Sequence, residues 1–165
     1  MNKRVLSLLV DNTSGVLSRI AGLFSRRGYS IDSLTVGETA DPRYSRMTVV
    51  VNGDDKILDQ ITKQLAKLVD VVDIKPLADN ESVSRELVLV KVRADGQNRQ
   101  AIIGITDIFR AKIIDVGIDS LIIELTGNQS KIDAFIRLLE GYEILELART
   151  GITGLSRGAE DVRYL

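Results

Sequence analysis

The sequence predicts an α+β fold built from two consecutive βαββαβ units. Three observations carry this. Apolar runs of strand length alternate with stretches of helical period in the order strand, helix, strand, strand, helix, strand, and the whole order occurs twice in 165 residues. A polar stretch with little to bury, ADNESVS at 78–84, falls between the two runs and serves as a linker. Landmarks also recur, with Phe24 and Phe109 in the first helix of each run, and Gly53 and Gly127 just before the second.

Val5–Val10 (VLSLLV) is a short apolar run of strand character, stopped by the polar turn Asp11-Asn12-Thr13-Ser14-Gly15. From Val16 the period changes to 3.6, with Val16, Leu17, Ile20, Ala21, Leu23 and Phe24 on one face and Gly28 as the stop signal. Tyr29–Val36 reads as a second strand, Gly37–Ser45 with Pro42 as a loop, and Arg46–Val51 as a third strand closed by the turn Asn52-Gly53. Asp54 and Asp55 open a second helix whose inner stripe is Ile57, Leu58, Ile61, Leu65 and Leu68. Val71–Leu77 is a fourth strand, placed at a sheet edge by Pro76.

After the linker, Leu87–Val92 is a strand and Arg99–Ala111 a helix with Ile102, Ile103, Ile105, Thr106 and Phe109 inside. Ile113–Gly117 and Leu121–Thr126 are strands, Lys131–Glu140 is a helix, and Glu143–Arg149 is the closing strand. The end of the chain from Gly151, GITGLSRGAEDVRYL, has three glycines in its first eight residues and reads as a loop-like tail, or one ordered only by a partner. Each unit is thus ferredoxin-like, with two helices on one face of a four-stranded sheet. Strands such as VLSLLV and ELVLVKV are too continuously apolar for a sheet with one face in water, so a second copy or a second protein is expected to cover them.

Composition narrows the function. The chain has no Cys, His or Trp, which removes disulfides, Cys- or His-based zinc sites, cysteine nucleophiles and every proton relay through imidazole. A net charge of −1 with both signs mixed gives no basic field for nucleic acid. The apolar runs are far too short to span a bilayer, and the N-terminal run is too short for a signal peptide, so a soluble cytoplasmic protein is expected.

One loop has chemical promise. Asp11–Gly15 feeds directly into a helix N-terminus, where unpaired amides and the helix dipole suit a carboxylate or phosphate, and Gly15 leaves the backbone accessible. The competing reading is that Asn12 or Ser14 simply caps the helix. No phosphate-loop or dinucleotide signature accompanies it. Asp54-Asp55 reads better as helix-start acids, and Glu160-Asp161 as tail residues, than as acid/base pairs.

VLSLLVDNTSGVLSRIAGLFSRRGYSIDSLTV is similar to the first ACT domain of the small regulatory subunit of acetohydroxyacid synthase (acetolactate synthase). SRMTVVV, KQLAKLVDVVDI, SRELVLVKV, IFRAKIIDV and ARTGITGLSRG continue the resemblance in the same order along nearly the whole chain. It implies an ACT domain over 1–77 for effector binding and dimerisation, the linker at 78–84, and a second ferredoxin-like domain with a flexible tail over 85–165. It also implies a non-catalytic subunit that activates the large catalytic subunit and confers feedback inhibition by valine, with thiamine diphosphate, magnesium and FAD on the catalytic subunit only. By the same resemblance, Asn12 would bond the effector's polar end, Gly15 and Val16 would offer amides to its carboxylate, and Leu17 would line its apolar side. Ser30 and Ile31 of a neighbouring copy would close the pocket. The family usually has Asn where this chain has Ser30, which leaves effector strength and identity open. A stand-alone ACT-type amino-acid sensor and a small acylphosphatase-like enzyme are the alternatives.

Overall fold

In the computed structural model, which describes residues 2–159, the first elements are β1 (Lys3–Asp11), α1 (Val16–Arg26), β2 (Ile31–Glu38), β3 (Tyr44–Asn52), α2 (Asp55–Ala66) and β4 (Val71–Pro76). They are followed by β5 (Ser82–Arg93), α3 (Arg99–Ile108), β6 (Lys112–Val116), β7 (Ser120–Gly127), α4 (Gln129–Leu139), β8 (Ile144–Arg149) and β9 (Thr153–Ser156). The chain divides into two compact units, one made of the chain up to Ser84 together with the stretch from Ile152, the other of Arg85–Gly151. Among the described residues no helix is long and apolar enough to cross a membrane.

The first unit is an antiparallel sheet in the order β2-β3-β1-β4, which puts Pro76 on an edge strand as expected. Leu6, Leu8 and Val10 alternate along β1 and join Met47, Val49 and Val51 of β3 on the helix-facing side. Val16, Ile20, Leu23 and Phe24 of α1 and Ile61 and Leu65 of α2 close that core, at the spacings the helical period requires. The carboxylate of Asp54 accepts from the Ile57 amide at 2.9 Å, so its role is to cap α2. The second strand lies two residues later than expected and the third is longer, because Thr39 N donates to Tyr44 O and ties the hairpin down to residues 39–43.

The residues between those core positions, Ser7, Leu9, Thr48 and Val50, are buried as well. Part of their cover comes from the end of the chain. β9 packs against β3, Gly154 N donates to Thr48 Oγ1 at 3.4 Å, and Thr35 Oγ1 donates to Ile152 O at 3.1 Å. The stretch expected as a loose tail therefore holds a strand, which pairs with β5 and packs on β3. Its glycines serve geometry: Gly151 has φ 84°, and a Cβ on Gly154 would stand 2.8 Å from Ser84 Oγ and 3.2 Å from Val83 O. Residues 160–165, the rest of the expected tail and the site of Glu160-Asp161, lie outside the described residues.

The linker is shorter than expected. Only 78–81 form a turn, since Ser82 is buried, donates its hydroxyl to Ala78 O at 2.6 Å, and begins β5.

The second unit repeats the pattern in the order β6-β7-β5-β8. Val88, Val90 and Val92 with Leu121, Ile123 and Leu125 face Ile102 of α3 and Ile132, Phe135 and Leu139 of α4. Helix α3 stops at Ile108, three residues before its apolar pattern ends, because Phe109 is its cap and Arg110 turns left-handed with φ 54°. Glu86, 5% exposed, is matched by Arg149 in a two-pronged pair at 2.6 and 2.9 Å, and Arg149 also reaches Asp133 at 3.1 Å.

Candidate functional site

At the end of β1 the chain is held from two sides. Asp11 N donates to Asp70 O at 2.9 Å and Asn12 N donates to Arg43 O at 2.8 Å, so the loop 12–15 leaves the sheet at a fixed angle. Gly15 is then the N-cap of α1, with φ 85° and ψ −3°, a left-handed conformation that strains other residues. No side chain caps the helix, which corrects the expectation that Asn12 or Ser14 does so. Asn12 is drawn instead to the β2–β3 hairpin, where its Nδ2 donates to Glu38 Oε2 at 3.2 Å and to Pro42 O at 2.9 Å.

Gly15 O accepts the first helical bond from Arg19 N at 3.0 Å, and the amides of Val16, Leu17 and Ser18 precede any intrahelical partner. They point out of the helix start together with the positive end of its dipole. Val16 turns its side chain into the core at 4% exposure, while Leu17, 47% exposed, presents an apolar surface at the rim.

Arg19 adds a charge that motif reading did not find. Its guanidinium folds back along the helix start, donating to Asp70 at 2.6 and 3.0 Å and to Ser14 O at 3.5 Å. Its Nη1 lies 2.9 Å from where a Cβ on residue 15 would stand. The hydrogen bond from Arg19, more than its charge, holds the Asp70 carboxyl below the ordinary carboxylate range. The pair fixes a guanidinium, matched by the Asp70 carboxylate, beside the open amides.

Ser30 and Ile31 lie elsewhere. Ser30 is exposed in the connection after α1, and Ile31 begins β2, half-buried against the first core. The 11 residues of α1 separate them from Gly15 by roughly 16 Å at the helical rise. Within one copy, Asn12, Gly15, Val16 and Leu17 are brought together, while Ser30 and Ile31 are not.

The counterpart position in the second unit is built differently. There the Asp95 carboxylate accepts from the amides of Gln97 and Asn98 at 2.9 and 3.1 Å, and Asn98 Oδ1 accepts from Asp95 N at 2.9 Å. Arg99 donates to the carbonyls of Ala94, Gly117 and Ile118. A carboxylate from the chain itself occupies the turn ahead of α3, whose own N-cap, Asn98, makes no side-chain cap bond.

Other features carry less chemistry. Among the described residues no group of three or more His, Cys, Asp or Glu is placed to hold a metal. Tyr29 packs edge-on against Phe24 and reaches Gln60. A shallow groove of about 260 Å³ on the second unit is lined by Leu89, Ile122, Leu147 and Ala148, and its charges, Lys91 and Glu146, pair with each other.

Comparison with known proteins gives a family match to each half of the chain. The family described as the small subunit of acetolactate synthase matches residues 85–158, and the AHAS small subunit-like ACT domain matches residues 6–73. The acetolactate synthase small subunit of Mycobacterium bovis is 50% identical over 157 residues, covering 95% of this chain and 94% of its own. The isozyme 3 small subunit of Escherichia coli K12 is 48% identical over 162 residues, covering 98% and 99%. The crystal structure of the acetolactate synthase small subunit from Thermotoga maritima superposes with a TM-score of 0.89 at 45% identity, over 96% of this chain and 99% of that one. The chain belongs to the acetolactate synthase small-subunit family, with an ACT domain in its first unit.

Proposed function

We propose that this chain is the regulatory partner of an acetolactate synthase large catalytic subunit in the cytoplasm, that it raises that subunit's activity, and that it confers feedback inhibition by valine. In this reading thiamine diphosphate, magnesium and FAD reside on the catalytic subunit, and this chain contributes binding alone. The observation that carries the reading is the start of α1, where amides capped by Gly15 have no side-chain partner and lie beside Arg19.

A free amino acid answers that geometry. Its carboxylate would accept from the amides of Gly15 and Val16, where the helix dipole and Arg19 both favour negative charge. Asn12 spends its Nδ2 on Glu38 and Pro42, which leaves Oδ1 to accept from the ammonium, and Glu38 adds a second negative group nearby. A small branched side chain would lie on Leu17. Ser30 and Ile31 would come from a second copy paired along the β2 edge, since within one chain they stand at the far end of α1. The effector then bridges two copies, so its binding is coupled to the arrangement of a homodimer.

The test is to mix the chain with its catalytic subunit and assay acetolactate formation with and without valine. The expected result is no turnover by the chain alone, stimulation of the catalytic subunit, and loss of rate on adding valine. Turnover by the isolated chain, or an unchanged partner rate at saturating addition, would overturn the proposal. Amino-acid binding with no effect on the catalytic subunit would assign the chain to the stand-alone sensors.

A further inference from the structure

The turn between α2 and β4 is pinned at both of its ends. Leu68 N donates to Leu65 O and Val71 N donates to Leu68 O, each at 3.1 Å, while the Leu68 side chain packs on the first core. Asp70 therefore stands at a fixed place, and it holds two groups. Its carbonyl accepts from Asp11 N at the end of β1, and its carboxylate, 17% exposed, accepts from Arg19 Nε and Nη2 at 2.6 and 3.0 Å. One acidic residue thus ties both sides of the loop 12–15 to the same turn.

The guanidinium is held by one edge only. The carboxylate takes Nε with Nη2 in the two-pronged geometry that fixes orientation as well as distance. Nη1 makes no hydrogen bond among the described residues, and it lies 2.9 Å from where a Cβ on residue 15 would stand. An arginine side chain is among the costliest to immobilise, so a ligand meeting a free one would bear that ordering on binding. Here Asp70 has ordered it in advance. The fold does not demand this arrangement, because the second unit lacks it. There the same backbone bond joins Arg93 N to Glu143 O at 2.9 Å, yet the Glu143 carboxylate turns to Arg93 of the strand itself, at 2.7 Å.

Resting on the amino-acid reading above, we propose that Asp70 is the positioning residue of the effector site. It holds Arg19 by one edge so that Nη1 meets a carboxylate at the start of α1, and Arg19 thereby makes the site select a charged carboxylate over a neutral carboxamide. The Asp70 charge by itself opposes a second carboxylate, so positioning and charge act in opposite directions. The sign of their balance is measurable.

The full chain is titrated calorimetrically with valine and with valinamide, which keeps the ammonium and the side chain but replaces the carboxylate by a neutral amide. The parent should prefer valine. Arg19→Gln should lower valine binding by about tenfold or more, the scale of one lost bond to a charged group, and leave valinamide within about twofold, so the preference collapses. Asp70→Asn removes the repelling charge and the two-pronged hold together, and valine binding should weaken several-fold. In the Arg19→Gln background the same substitution should weaken it no further, since Asp70 acts through Arg19. Unchanged or tighter valine binding by Asp70→Asn overturns the positioning role, and so does an equal loss in both backgrounds. Equal losses of valine and valinamide in Arg19→Gln, with a lowered melting point, make the pair a staple of the fold and overturn the selectivity. An Arg19→Gln chain that keeps the parent's preference for valine overturns this inference and leaves the regulatory reading standing. A parent that binds neither ligand overturns that reading and this inference with it.

Discussion

The two units share a topology and differ where their first helices begin. In the second, Asp95 folds onto the amides of Gln97 and Asn98, so the turn before α3 is satisfied from within. In the first, Gly15 supplies no side chain, Asn12 is drawn aside to Glu38 and Pro42, and Arg19 brings a cation instead of an anion. Neither helix start carries a side-chain cap, but in the second unit a carboxylate of the chain fills the turn ahead of the helix, and in the first Gly15 leaves that turn open. The cover of the sheets differs too, because β9, from the far end of the sequence, pairs with β5 and packs on β3.

Removing that recruited strand should have the largest effect. A chain ending at Gly151 loses the burial of Ile152, 7% exposed, and leaves the fully buried Thr48 hydroxyl without its Gly154 contact. Burial of one large aliphatic side chain and one orphaned buried hydroxyl together put the cost to the first unit at about 3–5 kcal/mol. Hydrogen exchange read by segment should show β3 and the start of β5, both of which β9 touches, losing protection while β6 and β7 keep theirs. Uniform loss, or none, would break the assignment of β9 to the first unit.

Gly15→Asp comes next, because it puts a carboxylate at the N-cap of α1, where no side chain now bonds the open amides. An internal carboxylate would compete for the amides that a valine carboxylate needs, while the added Cβ displaces the movable end of Arg19 and the left-handed φ of 85° adds backbone strain that lowers the melting point modestly. Losing two hydrogen bonds to a charged group, at about 1.5–3 kcal/mol each, weakens binding by roughly 10²-fold or more. Valine titration of the mixed synthase measures it, and a melting curve close to that of the parent separates lost binding from lost fold. An unchanged valine response would reduce Gly15 to a turn residue.

What the sequence made legible follows from how local each signal is. The alternation of β1 and β3 and the stripes of α1 and α2 are read within a few residues, and all four elements stand where the period puts them. The place of Gly15 at a strand-to-helix turn is equally local. The role of β9 is not: Gly154 reads as looseness until Ser84 and Val83 are seen to leave no room for a side chain. Arg19 is an ordinary outward residue in the helical pattern, and its partner Asp70 lies 51 residues away. Ser30 gains meaning only from a second copy, which one chain's periodicity cannot supply.

Ser30→Asn sharpens the reading of that second copy. If residue 30 faces the effector across a pair of first units, serine reaches it at longer range or through a water, whose ordering costs about 0–2 kcal/mol. An amide reaching directly should tighten valine binding by up to about tenfold, the equivalent of 1.4 kcal/mol. Calorimetric titration of both proteins reads the difference. Equal or weaker binding by the asparagine protein would remove residue 30 from the pocket or show the pocket to be shaped around serine.

The smallest effect tests the second unit's self-sufficiency through pH. The amides of Gln97 and then Asn98 hold the Asp95 carboxyl below the ordinary carboxylate range, with the Arg99 charge assisting. A carboxyl whose pKa is lower folded than unfolded stabilises fully above the unfolded value, near 3.9, and that contribution is lost as pH falls through the lower folded value. Asp95→Asn keeps an oxygen that can accept from the same amides but removes the titration, so stability near neutrality should change little. The acid limb of the second unit should become shallower. The first unit should keep its own, because Arg19 and Arg43 hold Asp70 and Asp41 below the ordinary range in the same sense. Segment-resolved hydrogen exchange from roughly pH 6 to pH 3 compares the two limbs. If α3 in the variant loses protection with acid as steeply as in the parent, Asp95 is not what satisfies that turn, and the contrast with Gly15 has to be sought in Arg99 and the carbonyls it clamps.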